Sequence, residues 1–215
     1  MDQIVEGFKK LAAASISDAL DRLQIPGQAQ GIHGLKIGYR IVGRAFTVRY
    51  RPVGATKGTV GDFIDDVPPG GVVVLDNQGR LDCTVWGDIL TTVASQRKIA
   101  GTVIHGVCRD VSGSLALNYP IFSRGRFMRT GKDRVEVDGM NVPTSLGDVQ
   151  VRPNDIVVGT DDGILVVPHD RAEKVLEIAN SISEAEAKII SAVKSGSRLD
   201  EARKQHNYHH LQTHA

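Results

Sequence analysis

Three charged residues carry the chemistry this chain could perform. Asp88 lies in Trp86-Gly87-Asp88-Ile89-Leu90, and twenty residues further on come Arg109 and Asp110. The first segment stands between a turn-rich loop and an amphipathic run, where a helix N-terminus presents free N–H groups to an anion. The second closes Gly101-Thr102-Val103-Ile104-His105-Gly106-Val107-Cys108, an apolar run that reads as a buried parallel strand. Between them, residues 90–107 read as one helix and one strand, the natural repeat of a βαβ crossover. Ligands in open α/β sheets collect at the carboxyl ends of strands, so a backbone anion cradle, a fixed cation and a carboxylate should converge there. That set suits a small oxo-acid held against a divalent metal. Each half alone has a plainer reading, Gly-Asp as a helix cap and Arg-Asp as a solvated pair.

The elements that must position these residues follow from periodicity. Ile4, Phe8 and Leu11 recur at helical spacing through Ala14, and Ser15-Ile16-Ser17-Asp18 is expected to cap a second short helix that ends at Pro26-Gly27. Residues 31–38 read as loop, residues 42–49 as a half-exposed strand, and residues 58–64 as a short helix stopped by Pro68-Pro69-Gly70. Residues 71–76 are a central parallel strand, with a turn at Asn77-Gln78-Gly79-Arg80. A helix over residues 89–96, the strand leading to Arg109, a short helix near residues 113–118 and a strand at residues 120–123 complete a doubly wound series. Short strands then follow, with a hairpin expected at Asp138-Gly139, and Val175, Ile178, Ile182, Ala185, Ile189 and Val193 mark a long helix to Gly196.

Composition narrows the function classes. At 215 residues the chain fits one domain over residues 1–215, with residues 197–215 a flexible tail. The 26 basic and 25 acidic residues nearly cancel, which argues against nucleic acid as a partner. The basic run Arg124, Arg126, Arg129, Lys132 and Arg134 reads as a solvated hairpin edge. Cys83 and Cys108 lack metal or disulfide spacing, and a reducing cytoplasmic setting is expected. No run of 18 apolar residues is present, so no membrane partner is expected. Four of the seven histidines crowd into residues 206–214, a stretch that binds metal only adventitiously.

Together with Asp161-Asp162-Gly163-Ile164-Leu165-Val166-Val167-Pro168, the Asp88, Arg109, Asp110 pattern resembles one family. It groups the regulator of ribonuclease activity A with the 4-hydroxy-4-methyl-2-oxoglutarate/4-carboxy-4-hydroxy-2-oxoadipate aldolases, and the likeness runs from Ser15 to the terminal helix. The resemblance implies an αββα sandwich of the swivelling phosphohistidine-domain type with a parallel-rich central sheet, assembled as a trimer or hexamer. Family members with the full pattern cleave 4-hydroxy-2-oxo dicarboxylic acids to pyruvate and decarboxylate oxaloacetate with Mg2+ or Mn2+. The regulator lacks the full set and binds a nuclease, and it stands as the alternative. A quinone methyltransferase is disfavoured, because no Gly-rich strand-to-helix turn follows Leu75 or Val107.

Cleaving the bond two carbons from a ketone leaves a pyruvate enolate, whose C2 oxygen must be stabilised as it becomes negative. No lysine ends a central strand, so a metal-assisted route is expected over a Schiff base. Asp110 would ligate the metal and Arg109 would donate to the C2 oxygen. Asp88 would orient a proton-carrying water, and the resemblance gives the N–H groups of Ile89 and Leu90, beside Gly87, to the substrate carboxylate. His105 and Cys108 read as core residues, while His33, Asp18 and Arg22 lack specific signals. An acidic residue drawn from a neighbouring subunit, as the aldolases use, has no clear equivalent among Glu184, Glu186 and Glu201.

Overall fold

The computed structural model describes residues 2–55, 58–206 and 208. They form two compact units, one from the two ends of the chain and one from residues 28–169.

The terminal unit is helical. Asp2 accepts the Ile4 and Val5 N–H groups at 3.1 and 3.3 Å and so starts α1 (Gln3–Lys9). The chain breaks at Leu11-Ala12, and α2 (Ala13–Arg22) begins behind Ala12 without a side-chain cap. Ser15, Ser17 and Asp18, expected as a cap, are therefore interior to α2. Ser15 is buried and donates to Glu186 at 3.3 Å, a use for its hydroxyl that no local pattern signals. In the same unit, α5 (Ala172–Lys194) buries Val175, Ile178, Ala179, Ile182 and Ile189, as its period requires. A Cβ at Gly7 would meet Leu176 Cδ2 at 2.6 Å, which explains a glycine in α1 where it faces α5. Helix α6 (Leu199–Gln205) follows, and the histidines of residues 209–214 lie outside the described residues.

The second unit is a mixed sheet. Its strands are β1 (Gln28–Ala29), β2 (His33–Gly34), β3 (Ile41–Pro52), β4 (Val72–Thr84), β5 (Gly101–Cys108), β6 (Ile121–Arg126), β7 (Val135–Met140), β8 (Thr144–Leu146), β9 (Val149–Val151), β10 (Ile156–Thr160) and β11 (Gly163–Val167). The spatial order is β1-β11-β10-β3-β4-β5-β6-β2, with β7 also on β3 and β8-β9 a separate hairpin. Strands β3 to β6 are parallel, and every other pairing is antiparallel. The doubly wound series is thus confined to four strands, and the rest of the sheet corrects the parallel-rich expectation.

Strand β3 explains much of the difference. Its first residues pair with β10, its middle with β4 and its end with β7. It is consequently buried nearly throughout instead of half-exposed. A Cβ at Gly43 would collide with the Gly70 carbonyl oxygen, so the close approach of these backbones requires glycine.

The turn expected at residues 77–80 is a bulge within β4. Gln78 and Gly79 take positive φ of 56° and 67°, and the β4–β5 register jumps between Asp76 and Arg80. Asn77 stays fully buried, its amide donating to the Cys83 carbonyl at 3.1 Å. The expected Asp138-Gly139 hairpin is likewise absent, because both residues lie inside β7. There Glu136 and Asp138 meet Arg51 and Arg49 of β3 at 3.0 and 2.8 Å. Residues 58–63 are not helical either. Glu136 accepts the Gly58 N–H, the Thr59 carbonyl accepts from Val137, and the Val60 carbonyl accepts from Tyr50, at 2.7, 2.9 and 2.7 Å. With these groups satisfied by tertiary partners, one 3-10 turn at Ile64–Asp66 remains.

Three of the five residues of the basic run donate to backbone. Arg124 donates to Gly79, Arg126 to Leu35, and Arg134 to Thr130 and Lys132. Among the described residues no helix is long and apolar enough to cross a membrane.

Asp76, at the carboxyl end of the straight part of β4, fastens the β8-β9 hairpin to the parallel strands. One of its oxygens accepts from Thr144 Oγ1, Ser145 N and Ser145 Oγ at 2.9 to 3.3 Å, and the other from Gln78 N and His105 Nδ1 at 2.9 and 3.2 Å. Burial alone would push this carboxyl up, but the hydrogen bonds from His105, Gln78 and Thr144 outweigh it and hold the pKa below the ordinary 3.8. Its contribution to stability is therefore complete above 3.8 and disappears as pH falls through the lower folded-state value. Urea midpoints should show wild type losing its lead over Asp76→Asn between about pH 5 and pH 2. A lead that is the same at both ends would dismiss this account.

Candidate functional site

Helix α3 (Asp88–Gln96) and helix α4 (Val111–Ala116) start where β4 and β5 end, and their first turns face each other. The Arg109 N–H donates to the Trp86 carbonyl at 3.3 Å, which ties the two strand exits together. Buried hydroxyls do the same for the helix starts. Thr91 Oγ1 accepts the Trp86 indole N–H at 2.9 Å, lies 2.9 Å from the Gly87 carbonyl and contacts Ser114 Oγ at 3.2 Å. Tyr119 stacks on Trp86 with centroids 6.1 Å apart, and its hydroxyl is 2.9 Å from that of Thr102. The framework under the charged groups is thus buried and hydrogen-bonded. Sequence reasoning missed Thr91 and Ser114, whose only signal was a hydroxyl at a helical position facing the core.

Asp88, Arg109 and Asp110 are brought together as the spacing predicts. Asp110 Oδ2 accepts the Asp88 N–H at 3.1 Å and lies 3.2 Å from Arg109 Nε. Arg109 and Asp110 side chains are each 37% exposed, so their attraction is screened and its value is geometric. With Nε committed, the two Nη groups of Arg109 meet no protein acceptor among the described residues. Asp110 adopts φ 55° and ψ 39°, a left-handed conformation that aspartate tolerates at a cost of about 1 kcal/mol.

The anion cradle is half filled by the protein itself. The Ile89 N–H donates to Asp88 Oδ1 at 2.8 Å, whereas the Leu90 N–H has no protein acceptor among the described residues. A substrate carboxylate therefore requires Asp88 to turn aside before it can use both groups. Gly87 is needed for space. A Cβ there would lie 2.7 Å from Asp110 Oδ2 and 3.2 Å from Arg109 Nε. Gly87→Ala should displace the Asp110 carboxylate and lower turnover about tenfold with little change in thermal midpoint. Unchanged turnover would show that this contact is not needed.

These residues open on a cleft of about 550 Å3, within the usual range for small-molecule sites. Gly87, Asp88, Ile89, Leu90 and Arg109 line it, with residues 60–65 forming the opposite wall. Among the described residues no three His, Cys, Asp or Glu side chains converge as a metal cage. A single carboxylate such as that of Asp110 is compatible with Mg2+ or Mn2+, which keep much of their water and need only one or two carboxylates.

The remaining candidates sit elsewhere. His105 donates from Nδ1 to Asp76, as a satisfied core histidine does, and Cys108 is fully buried, with its thiol pushed up by burial. His33 is exposed on β2, paired with β6. Asp18, Arg22, Glu184, Glu186 and Glu201 belong to the helical unit.

An open mixed α/β sheet thus carries Asp88, Arg109 and Asp110 just beyond the ends of two adjacent parallel strands. A family model described as RraA-like, Aldolase/RraA, matches residues 13–166. The chain belongs to this Aldolase/RraA family. It is 40% identical over 212 residues to protein DlpA of Legionella pneumophila, covering 97% of this chain but only 34% of DlpA, so it spans about a third of that relative's length. A Halalkalibacterium halodurans protein provisionally named 4-hydroxy-4-methyl-2-oxoglutarate aldolase is 37% identical over 174 residues, 80% of each chain. A solved structure of an uncharacterized protein from Pseudomonas syringae pv. tomato superposes with TM-score 0.88 at 43% identity, covering 94% of this chain and 98% of that one.

Proposed function

We propose that this protein is a divalent-metal-dependent aldolase that cleaves a 4-hydroxy-2-oxo acid to pyruvate and decarboxylates oxaloacetate in the same cleft. The observation that supports it most is that Asp110 Oδ2 lies 3.2 Å from Arg109 Nε and accepts the Asp88 N–H at 3.1 Å, with Arg109 and Asp88 lining the cleft. We read the chain as one αββα sandwich of the swivelling type, acting as a homo-oligomer, trimer or hexamer.

In the cleavage, the C3–C4 electron pair moves into a C2–C3 double bond and negative charge collects on the C2 oxygen. The Nη groups of Arg109 donate to that oxygen, a fixed positive charge placed where the charge develops. The N–H groups of Ile89 and Leu90 hold the C1 carboxylate once Asp88 swings away from Ile89. Asp88, freed in this way, takes the C4 hydroxyl proton through a water and returns a proton to C3. Asp110 would hold Mg2+ or Mn2+, and a bound ion supplies Lewis-acid stabilisation of the same enolate. Loss of CO2 from oxaloacetate leaves the identical enolate, so both reactions need the same groups.

The family description also names RraA, and a non-catalytic ring that binds a ribonuclease is the second reading. A coupled pyruvate assay on oxaloacetate and 4-hydroxy-4-methyl-2-oxoglutarate, with Mg2+, Mn2+ or EDTA, separates the two. Metal-dependent pyruvate release is expected. No release from either substrate under any metal condition would leave the binding reading.

A further inference from the structure

Thr91 is fully buried and does not line the cleft, yet its hydroxyl sits at the junction of every element that builds the site. Oγ1 meets the Trp86 indole N–H at 2.9 Å, the Gly87 carbonyl at 2.9 Å and Ser114 Oγ at 3.2 Å. A hydroxyl has one proton and two lone pairs. Because the indole only donates and the carbonyl only accepts, the saturated arrangement sends the Thr91 proton to Gly87 and lets Ser114 donate to the remaining lone pair. Every bond that Thr91 Oγ1 can make is then made.

The bond to Gly87 acts through a single peptide. The Gly87–Asp88 unit is planar and trans, so its carbonyl and its N–H point in opposite directions and turn together. Thr91 holds the carbonyl, and the N–H donates to Asp110 Oδ2 at 3.1 Å. Gly87, without a Cβ, leaves that plane freer to rotate than another residue would. Fixing the carbonyl therefore aims the N–H, and the N–H holds one oxygen of the carboxylate. The same Oδ2 lies 3.2 Å from Arg109 Nε, while Oδ1 meets no protein donor among the described residues and stays open to a cation.

Two comparisons set this hydroxyl apart from ordinary back-bonding in a helix. The Thr91 N–H also donates to the Gly87 carbonyl, at 3.1 Å, but that bond ties the peptide to α3 alone. Thr92 makes the equivalent hydroxyl bond to the Asp88 carbonyl at 2.9 Å, from an exposed position and with no second side-chain partner among the described residues. Thr91 Oγ1 instead reaches across to Ser114 on α4, whose own Oγ lies 3.5 Å from the Asp110 carbonyl. The orientation of the Gly87–Asp88 peptide is thereby set against the helix that begins at Asp110.

Resting on the aldolase reading above, we propose that Thr91 is a positioning residue for the Asp110 carboxylate, aiming it through the Gly87–Asp88 peptide without touching substrate. Thr91→Val removes the hydroxyl and keeps the branched shape, whereas Thr91→Ser keeps the hydroxyl. In the 15N-labelled full chain in EDTA, the Asp88 amide proton, bonded to a carboxylate in wild type, should move upfield in Thr91→Val and hold its place in Thr91→Ser. Mn2+ affinity measured by calorimetry should weaken about tenfold in the first variant and stay within about twofold of wild type in the second. Tyr119→Phe deletes another buried hydroxyl bond of the same framework, to Thr102 at 2.9 Å, and should lower the thermal midpoint while leaving both readouts alone. If Thr91→Val does not fold, Ser114→Ala cuts the link from the α4 side and is read in the same way. An Asp88 amide unmoved by loss of the hydroxyl, one moved as far by Tyr119→Phe, or an unchanged affinity for Mn2+ that wild type binds overturns the proposal. A Thr91-dependent amide in a wild type that releases no pyruvate refutes the aldolase reading alone, and Mn2+-dependent pyruvate release with an unmoved amide refutes the positioning role alone.

Discussion

Arg109→Ala should lower pyruvate release from a 4-hydroxy-2-oxo acid and from oxaloacetate together, each by about 10²-fold or more, the usual cost of one oxyanion donor. The parallel loss is the informative part, since both reactions pass through one enolate and the guanidinium serves only that charge. Arg109→Lys should not restore the rates. Arg109 uses Nε to hold Asp110 while leaving its Nη groups for the cleft, and a lysine ammonium cannot do both from one point. Because the side chain is 37% exposed, the thermal midpoint should move little. Initial rates on both substrates, with circular dichroism as the folding control, decide it; rates near wild type on either substrate would remove Arg109 from the chemistry.

That Asp88, Arg109 and Asp110 could be expected to lie together reflects where they stand in the chain. Residues 101–108 are continuous and apolar because a central parallel strand is covered on both faces, and such a strand leaves its polar residues at its end. The Asp88 turn is legible as a helix start, since glycine followed by aspartate is a common way to begin one. What the chain concealed is non-local. Strand β3 pairs with three different neighbours, so its residues cannot alternate, and the Asn77 to Arg80 bulge looks like a turn until His105 and Cys83 are placed beside it. Loop residues 58–60 hang on Tyr50, ten residues before Val60, and on Glu136, 78 residues beyond Gly58. Glu136 illustrates the point, because the Gly58 N–H and Arg51 hold its carboxyl below the ordinary range although no sequence pattern pairs them. The same holds within the site, where the left-handed Asp110 and the Thr91–Ser114 hydroxyl pair arise from packing two helix starts face to face.

Asp110 offers the sharper test of the metal. Alanine would disturb more than the ligand, because a left-handed φ of 55° suits Asp and Asn but strains alanine. Asp110→Asn keeps the shape, keeps a carbonyl oxygen for the Asp88 N–H, and removes only the charge. If this carboxylate holds the cation, the variant should lose Mg2+ or Mn2+ activation and most turnover, leaving a residual rate that EDTA does not change. Thermal midpoints measured with and without Mn2+ give a readout separate from rate, since a ligand that binds the folded state alone raises the midpoint with concentration. Wild type should show this rise and Asp110→Asn should not. A variant still activated and still stabilised by Mn2+ would move the cation to other oxygens, with Asp88, 3.1 Å from the same carboxylate through its N–H, the first to examine.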